Sequence, residues 1–293
     1  ANSPAFEAGM LPGDILYQVD GEAVTGKDLD LVVKENIRGE EGTYVDITVL
    51  RGENAEETPL HVERRSIEVP TVEYQMLENQ VGYIYVTQFD EVTAKQFEDA
   101  IDDLEDQGME KLVIDLRNNP GGVLDTAVEM LAYVLPEDKL DGMLVYTADK
   151  NGEGDRYFCK DGKIQRESDD GSRDSRYPKE DDHELDVPLA VLVNGNSASA
   201  SEVFTGAVMD YDAGIVVGTT TFGKGIVQNL IPLGDGTAIK LTTAHYYTPN
   251  GFDLHGKGLE PDVVVEMDEE LQKKAVVELS EDNQLQAAIE AMN

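Results

Sequence analysis

The sequence predicts an α/β protein in which a layered domain with a mostly parallel sheet and antiparallel additions follows a small α+β module. Three observations carry this. From Gly82 onward, strand-like and helix-like segments alternate, as a parallel sheet with crossover helices requires. The runs KLVIDL, PLAVLVN and GIVVG are short, continuous and apolar, which suits strands buried on both faces. Residues 1–68 instead carry short β-type runs, separated by glycine-rich turns, around one helical stretch.

In the first module, DILYQVDG and TYVDITVLRG are strands on either side of a helix near Lys27 to Asn36. From Gly82, GYIYVTQF is a strand, and TAKQFEDAIDDLEDQG is an acidic helix with Phe97, Ile101 and Leu104 on one face and Gly108 as its stop. KLVIDL follows as a buried strand, and strand–helix–strand implies a right-handed parallel crossover. NNPGG leads into a helix whose Val123, Ala127, Val128, Leu131 and Val134 form an apolar stripe. The stretch at about 148–186 is charged and poor in apolar residues, which predicts a surface insertion, a hairpin or flap with Asp161-Gly162 at its turn. Beyond it come the strand PLAVLVN, a helix opened by NGNSASASEVFTGA, and the strand GIVVG. Past Gly225 the chain turns antiparallel in character: IVQNLIPL and TAIKLTTAHYY joined by GDG, then PDVVVEM, then a short helix ending near Met292. The expected domains are 1–68 and 69–293.

A chain of 293 residues, 40% hydrophobic, can build one large core and a small companion. Its 23 Lys and Arg against 60 Asp and Glu leave a net charge of −37, which repels phosphate backbones and anionic lipid heads. Nucleic acid and bare membrane are therefore poor partners, and the surface suits a salty or extracytoplasmic setting. The single cysteine, Cys159, excludes an internal disulfide, and no Cys/His spacing suggests a metal. No run approaches the roughly 18 apolar residues of a membrane span, and nothing at the N-terminus reads as a signal peptide. Because ANSPAFEAGM begins inside what reads as a motif, an upstream targeting or anchoring segment is expected.

Ser197, Ser199 and Ser201 alternate just before a helix. Ser199-Ala200-Ser201-Glu202 fits a capping box, and caps are far commoner than nucleophiles. Yet the turn follows the buried strand AVLVN, and open α/β sheets place their chemistry beyond the carboxyl ends of strands. There the free amides of a helix start can stabilise an oxyanion. His61, His183, His245 and His255 lie in no recognisable triad context. Lys224, in TTTFGKGIVQ, is the other candidate base; it must be neutral to act, hence desolvated, and Gly223, Gly225, Phe222, Ile226 and Val227 are compatible with that. The bland alternative is an exposed loop lysine. Gly218 to Lys224 also matches G-x-x-x-x-G-K, but position 225 is Gly and a strand follows where a phosphate-binding loop needs a helix.

In that order, VIDLRNNPGG, NGNSASASE, GTTTFGKGIVQ and LTTAHYYTPNG, followed by GLEPDVVV, closely resemble the carboxyl-terminal processing, or tail-specific, proteases from about Gly82 to Val265. SPAFEAGMLPGDILYQVDGEAV resembles the latter part of a PDZ domain. The resemblance implies a ClpP/crotonase-like protease domain and a serine endopeptidase that cleaves near protein C-termini through an acyl-enzyme. It also implies Ser199 as nucleophile, Lys224 as general base and Gln228 assisting the lysine. Oxyanion donors would be Gly121 or Gly122, and Ala200, with Ser197 and Ser201 structural. No cofactor or metal is implied. Substrates would be proteins or peptides with accessible C-terminal tails, and a homo-oligomer is left open. The location would be the bacterial cell envelope or outside the cell, with membrane contact only through an upstream anchor. The carboxylate-binding loop of the PDZ domain is expected upstream of Ala1, leaving the module incomplete. Asp115 and Arg117 would brace the glycine turn, Asn194 would hold the turn before the helix, and Tyr246 and Tyr247 would serve packing. A non-catalytic ligand- or peptide-binding protein on the same scaffold is the alternative, opposed by retention of both Ser199 and Lys224.

Overall fold

The computed structural model describes residues 3–52, 54–67, 69–136, 142–160, 163–176, 185–234, 236–274 and 277–293. The chain forms two units, Ala1–Val69 and Pro70–Asn293.

The first unit contains α1 (Pro4–Glu7), β1 (Ile15–Val19), β2 (Glu22–Ala23), α2 (Leu29–Val32, continued by a π-turn to Ile37), β3 (Tyr44–Arg51) and β4 (Glu56–Glu63). Its antiparallel sheet has the order β2-β1-β3-β4. Inward positions alternate along β3, so Val45, Ile47 and Val49 join Val19, Leu60 and Val62 in a small core closed by Val32 of α2. Asp14, before β1, accepts from Nε and Nη2 of Arg51 at 2.8 and 2.6 Å and from the Leu11 amide at 2.9 Å.

The second unit contains β5 (Val72–Met76), β6 (Val81–Val86), α3 (Thr93–Asp106), β7 (Lys111–Asp115), α4 (Leu124–Val134), β8 (Met143–Ala148), β9 (Asp155–Lys160), β10 (Lys163–Ser168) and β11 (Arg173–Arg176). It continues with β12 (Leu189–Val193), α5 (Ala200–Asp210), β13 (Ile215–Gly218), β14 (Ile226–Pro232), β15 (Ala238–Tyr247), β16 (Val263–Val264) and α6 (Asn283–Ala291). The central sheet has the order β16-β13-β12-β7-β6-β5, parallel except for β5. Successive residues on its strands serve opposite faces. Ile84, Leu112, Ile114, Val191 and Val193 pack with Phe97, Ile101 and Leu104 of α3, Leu131 of α4 and Phe204 of α5. Tyr83, Val113, Ala190 and Leu192 pack with Leu285 and Ala288 of α6. Burial on both faces explains why these strands read as continuous apolar runs.

Three expectations are corrected. PDVVVEM is not part of the antiparallel region: β16 pairs in parallel with β13, because the chain returns to the central sheet after β15. Val123 is no part of the α4 stripe; it is the residue before the helix and is 39% exposed. The stretch 148–186 holds the expected hairpin, β9 paired with β10, but it is more than a surface insertion, since both strands join a second, antiparallel sheet of order β11-β10-β9-β8-β15-β14. Tyr157, Cys159 and Ile164 reach the main core from it, the alternation of one strand face being enough to bury them despite the charged composition. The Asp161-Gly162 turn lies outside the described residues.

The carboxyl end of β7 is pinned by a buried ion cluster. Arg117 Nη2 lies 2.6 Å from Asp115 and 2.7 Å from Asp282, the cap of α6, and its Nη1 donates to Gln284 at 2.9 Å. The Tyr83 hydroxyl donates to Asp115 at 2.7 Å. Burial, and then the neighbouring carboxylate, pushes that phenol well above its usual range, so it remains a donor.

Arg117→Ala leaves two buried carboxylates without their cation and should cost about 3–5 kcal/mol of stability in the second unit, read by urea unfolding through tyrosine fluorescence. The Arg51 guanidinium first, and the Leu11 amide second, hold the Asp14 carboxyl at about 2 against an ordinary 3.8. A lowered carboxyl stabilises the fold above its unfolded value and loses that contribution as pH falls toward the folded one. Arg51→Met should therefore be less stable than the parent at neutral pH, and the difference should close between pH 3.8 and about 2, measured by amide exchange in β1 and β3. A difference that stays constant across that window contradicts the assignment.

Candidate active site

Adjacent parallel strands β7 and β12 end in two turns, Arg117 to Gly122 and Asn194 to Ser199, that are bonded to one another. Ser197 Oγ donates to the Leu116 carbonyl at 2.7 Å, and Ser201 Oγ and the Ala198 amide donate to the Asn119 carbonyl, each at 3.0 Å. Ser197 and Ser201 are fully buried. Above them, Asn194 Oδ1 accepts from the Asn118 and Asn196 amides, and Asn118 Oδ1 accepts from the side-chain amides of Asn194 and Asn196. The two outer serines are thus committed to joining the turns. Ser199 is not.

Ser199 is half-buried and holds φ 58°, ψ −113° at the point where α5 begins. A non-glycine residue with this backbone is strained, and a sharp strand-to-helix turn of this kind projects a serine hydroxyl out of the sheet. In the capping box, the arm of full geometry runs from the Ser199 amide to Glu202 Oε2, at 3.0 Å; the serine side chain makes no cap hydrogen bond of that quality.

The glycine turn fits against this serine. At Gly121 (φ +94°) a Cβ would lie 2.8 Å from Ser199 Cβ and 2.9 Å from the Ala200 nitrogen, so only glycine permits the approach. Gly122 (φ +149°) is held against Phe89, whose carbonyl oxygen would stand 1.9 Å from an added Cβ. The Gly121 amide donates to Asn119 Oδ1 at 2.9 Å. The amides of Gly122 and Ala200 have no partner among the described residues.

Lys224 follows β13 and is half-buried, while the neighbouring Phe222 is 63% exposed. The Phe222 amide donates to the Ser197 carbonyl at 3.0 Å, tying the lysine loop to the serine turn. A second tie is the Glu202 carboxylate, fully buried, which accepts from Thr221 Oγ1 (2.6 Å), the Gly223 amide (2.7 Å) and the Lys224 amide (2.8 Å) besides Ser199. The Ser199 and Lys224 nitrogens share one oxygen of that carboxylate.

The remaining candidates are less convergent. Gln228 lies exposed on β14 beside a bulge, with Nε2 3.4 Å from Thr242 Oγ1, and makes no hydrogen bond to Lys224 among the described residues. His61 stacks on Tyr44 in the first unit, His245 faces Asp253 at 3.4 Å and His255 edge-on, and His183 lies outside the described residues. Tyr247 stacks on Tyr146, and Tyr246 packs against the main core. Among the described residues, no three His, Cys, Asp or Glu side chains form a metal-holding group, and no helix is long and apolar enough to cross a membrane.

Sequence reasoning saw Glu202 only as a helix cap. Its bonds to Thr221, Gly223 and Lys224 span 19 to 22 residues and leave no local pattern; the nearest signal was an acid directly after the serines. Asp282 and Gln284 as partners of Arg117 were likewise beyond reach of spacing.

The model of peptidase family S41 matches residues 80–265, and that of a PDZ domain matches residues 1–51. Probable CtpA-like serine proteases of Staphylococcus aureus and Staphylococcus haemolyticus are 39% identical to this chain over 264 residues, which is 90% of the chain and 48% of each relative. The chain therefore spans about half the length of these curated relatives. Among solved structures, a photosystem II D1 C-terminal processing protease is 30% identical, with TM-score 0.53 over 90% of this chain and 66% of that one. A putative S41 protease from Bacteroides fragilis shares the fold at 17% identity, with TM-score 0.58 over 99% of this chain and 75% of its own. By the extent of the family match and the order of its motifs, the chain belongs to peptidase family S41 and carries a PDZ domain in its first unit.

Proposed function

We propose that this chain is a serine endopeptidase that cleaves proteins near their C-termini, with Ser199 as nucleophile and Lys224 as general base. The observation that carries the reading is the strained Ser199 turn at the start of α5, which faces the Gly121–Gly122 turn and shares a carboxylate with the Lys224 loop. In this reading the neutral Lys224 amine takes the hydroxyl proton as Ser199 Oγ attacks the scissile carbonyl. The amides of Gly122 and Ala200 receive the oxyanion, since that of Gly121 is occupied by Asn119. The protonated lysine then gives its proton to the leaving amine, and water, deprotonated by the same lysine, releases the acyl group. Gln228 keeps its assisting place in the scheme as the member whose side chain must turn from its long contact with Thr242.

A PDZ domain takes a C-terminal carboxylate on backbone amides and adds the peptide as a strand, so substrate choice by this module needs the carboxylate-binding loop expected upstream of Ala1. Tails ending in small or apolar residues are the expected class. The same reading places the protein outside the cytoplasm, in the envelope or beyond it.

An unstructured polypeptide with an apolar tail should be cut by the parent near its C-terminus, as followed by mass spectrometry. Ser199→Ala and Lys224→Ala should each lose at least about a thousandfold in rate while melting as the parent does. Activity surviving Ser199→Ala removes the mechanism. Gly122→Ala, forced against the Phe89 carbonyl, should cost on the order of a hundredfold in kcat through a displaced oxyanion donor, with KM little changed.

A further inference from the structure

The Glu202 carboxylate is fully buried, accepts four hydrogen bonds and donates none. Oε2 takes the amides of Ser199 and Lys224; Oε1 takes the Thr221 hydroxyl and the Gly223 amide. Thr221 Oγ1 in turn accepts from the Leu259 amide at 2.8 Å, so the constraint passes on to a third segment.

Capping alone does not require this. A cap needs one acceptor for amides of its own first turn, whereas three of the four donors here belong to the lysine loop. Burying a carboxylate costs several kcal/mol unless charge-assisted hydrogen bonds replace its water, and a site needing only bulk would be filled more cheaply by an apolar side chain. The geometry serves spacing instead: the Ser199 and Lys224 nitrogens can be no farther apart than their bonds to Oε2, 3.0 and 2.8 Å, laid end to end. The hydrogen bond that the Ser199 amide donates to Glu202 Oε2 also holds Ser199 at its positive φ.

We propose that Glu202 is a positioning residue for the reaction, its carboxylate setting the distance between the Ser199 turn and the Lys224 loop, with Thr221 orienting the carboxylate. The inference rests on the Ser199–Lys224 reading above. Among the described residues the Glu202 carboxylate makes no hydrogen bond to the Ser199 hydroxyl or the Lys224 amine, and it acts through the two backbones.

Glu202→Gln tests this almost isosterically. Whichever way the amide is turned, its NH2 faces donors that an oxygen accepted before: Ser199 and Lys224 on one side, Gly223 on the other. The full chain and its Glu202→Gln, Thr221→Val, Thr221→Ser and Ser199→Ala variants are compared by the rate of labelling with a fluorophosphonate, by kcat and KM on a peptide with an apolar tail, and by melting midpoint. A misplacement of about 1 Å can cost on the order of a hundredfold in rate, and that loss is expected in the labelling rate and kcat of Glu202→Gln, with KM held within about twofold. Thr221→Val should lose rate in the same direction, and Thr221→Ser should recover it. Parental rates in a folded Glu202→Gln overturn the proposal, as does a loss that vanishes when each variant is assayed equally far below its own midpoint. If Glu202→Gln does not fold, the Thr221 pair decides, and a Thr221→Val that labels at the parental rate overturns it. Labelling lost in Ser199→Ala but normal in Glu202→Gln sinks the clamp alone; labelling that persists in Ser199→Ala sinks the dyad reading and the clamp with it.

Discussion

At the carboxyl end of β7 the carbonyl oxygens of Leu116 and Asn119 accept the hydroxyls of Ser197 and Ser201, and the geometry of the site depends on that junction. Parallel neighbours β7 and β12 bring the two turns side by side, but adjacency in a sheet leaves loops free to differ by several ångströms. The serine bonds remove that freedom among fully buried groups, where an unmade hydrogen bond would cost the full desolvation of both partners. With its neighbours so engaged, Ser199 is left in a conformation that only the surrounding bonds sustain.

The same logic runs outward through buried charge. Asp115, Arg117 and Asp282 join the strand before the glycine turn to the start of α6, and Glu202 joins the serine turn to the lysine loop. In a chain of net charge −37 most carboxylates face solvent, where each is worth little. The buried few are matched donor for donor. Such groups tolerate one arrangement, and that intolerance gives the site its definition at some expense of stability.

Much of this was legible because it is local. The runs KLVIDL, PLAVLVN and GIVVG carry their own burial on both faces, and the helix of Phe97, Ile101 and Leu104 carries its period. The candidate turns were legible for the same reason, each being a short stretch of glycine, asparagine and serine directly after a buried strand. Harder cases were those in which composition and position disagree. Segment 148–186 is charged overall, yet Tyr157, Cys159 and Ile164 fall on one strand face and are buried. Val264 reads like its apolar neighbours, but a two-residue pairing with β13 is settled by where the chain returns, which no pattern encodes.

By itself the sequence determined the runs from β6 to α4 and from β12 to β13, but not β4, β5 or β8, since buried strands, helix periods and turns follow from steric and hydrophobic preferences acting over a few residues. Tertiary structure alone decided which glycine amide is occupied by Asn119, that Ser197 and Ser201 join two turns, and that Glu202 is shared between the Ser199 and Lys224 segments. Hydrogen bonds across tens of residues exist only after the sheet has brought their partners within about 3 Å, and an amino-acid type names a donor or acceptor without naming its partner.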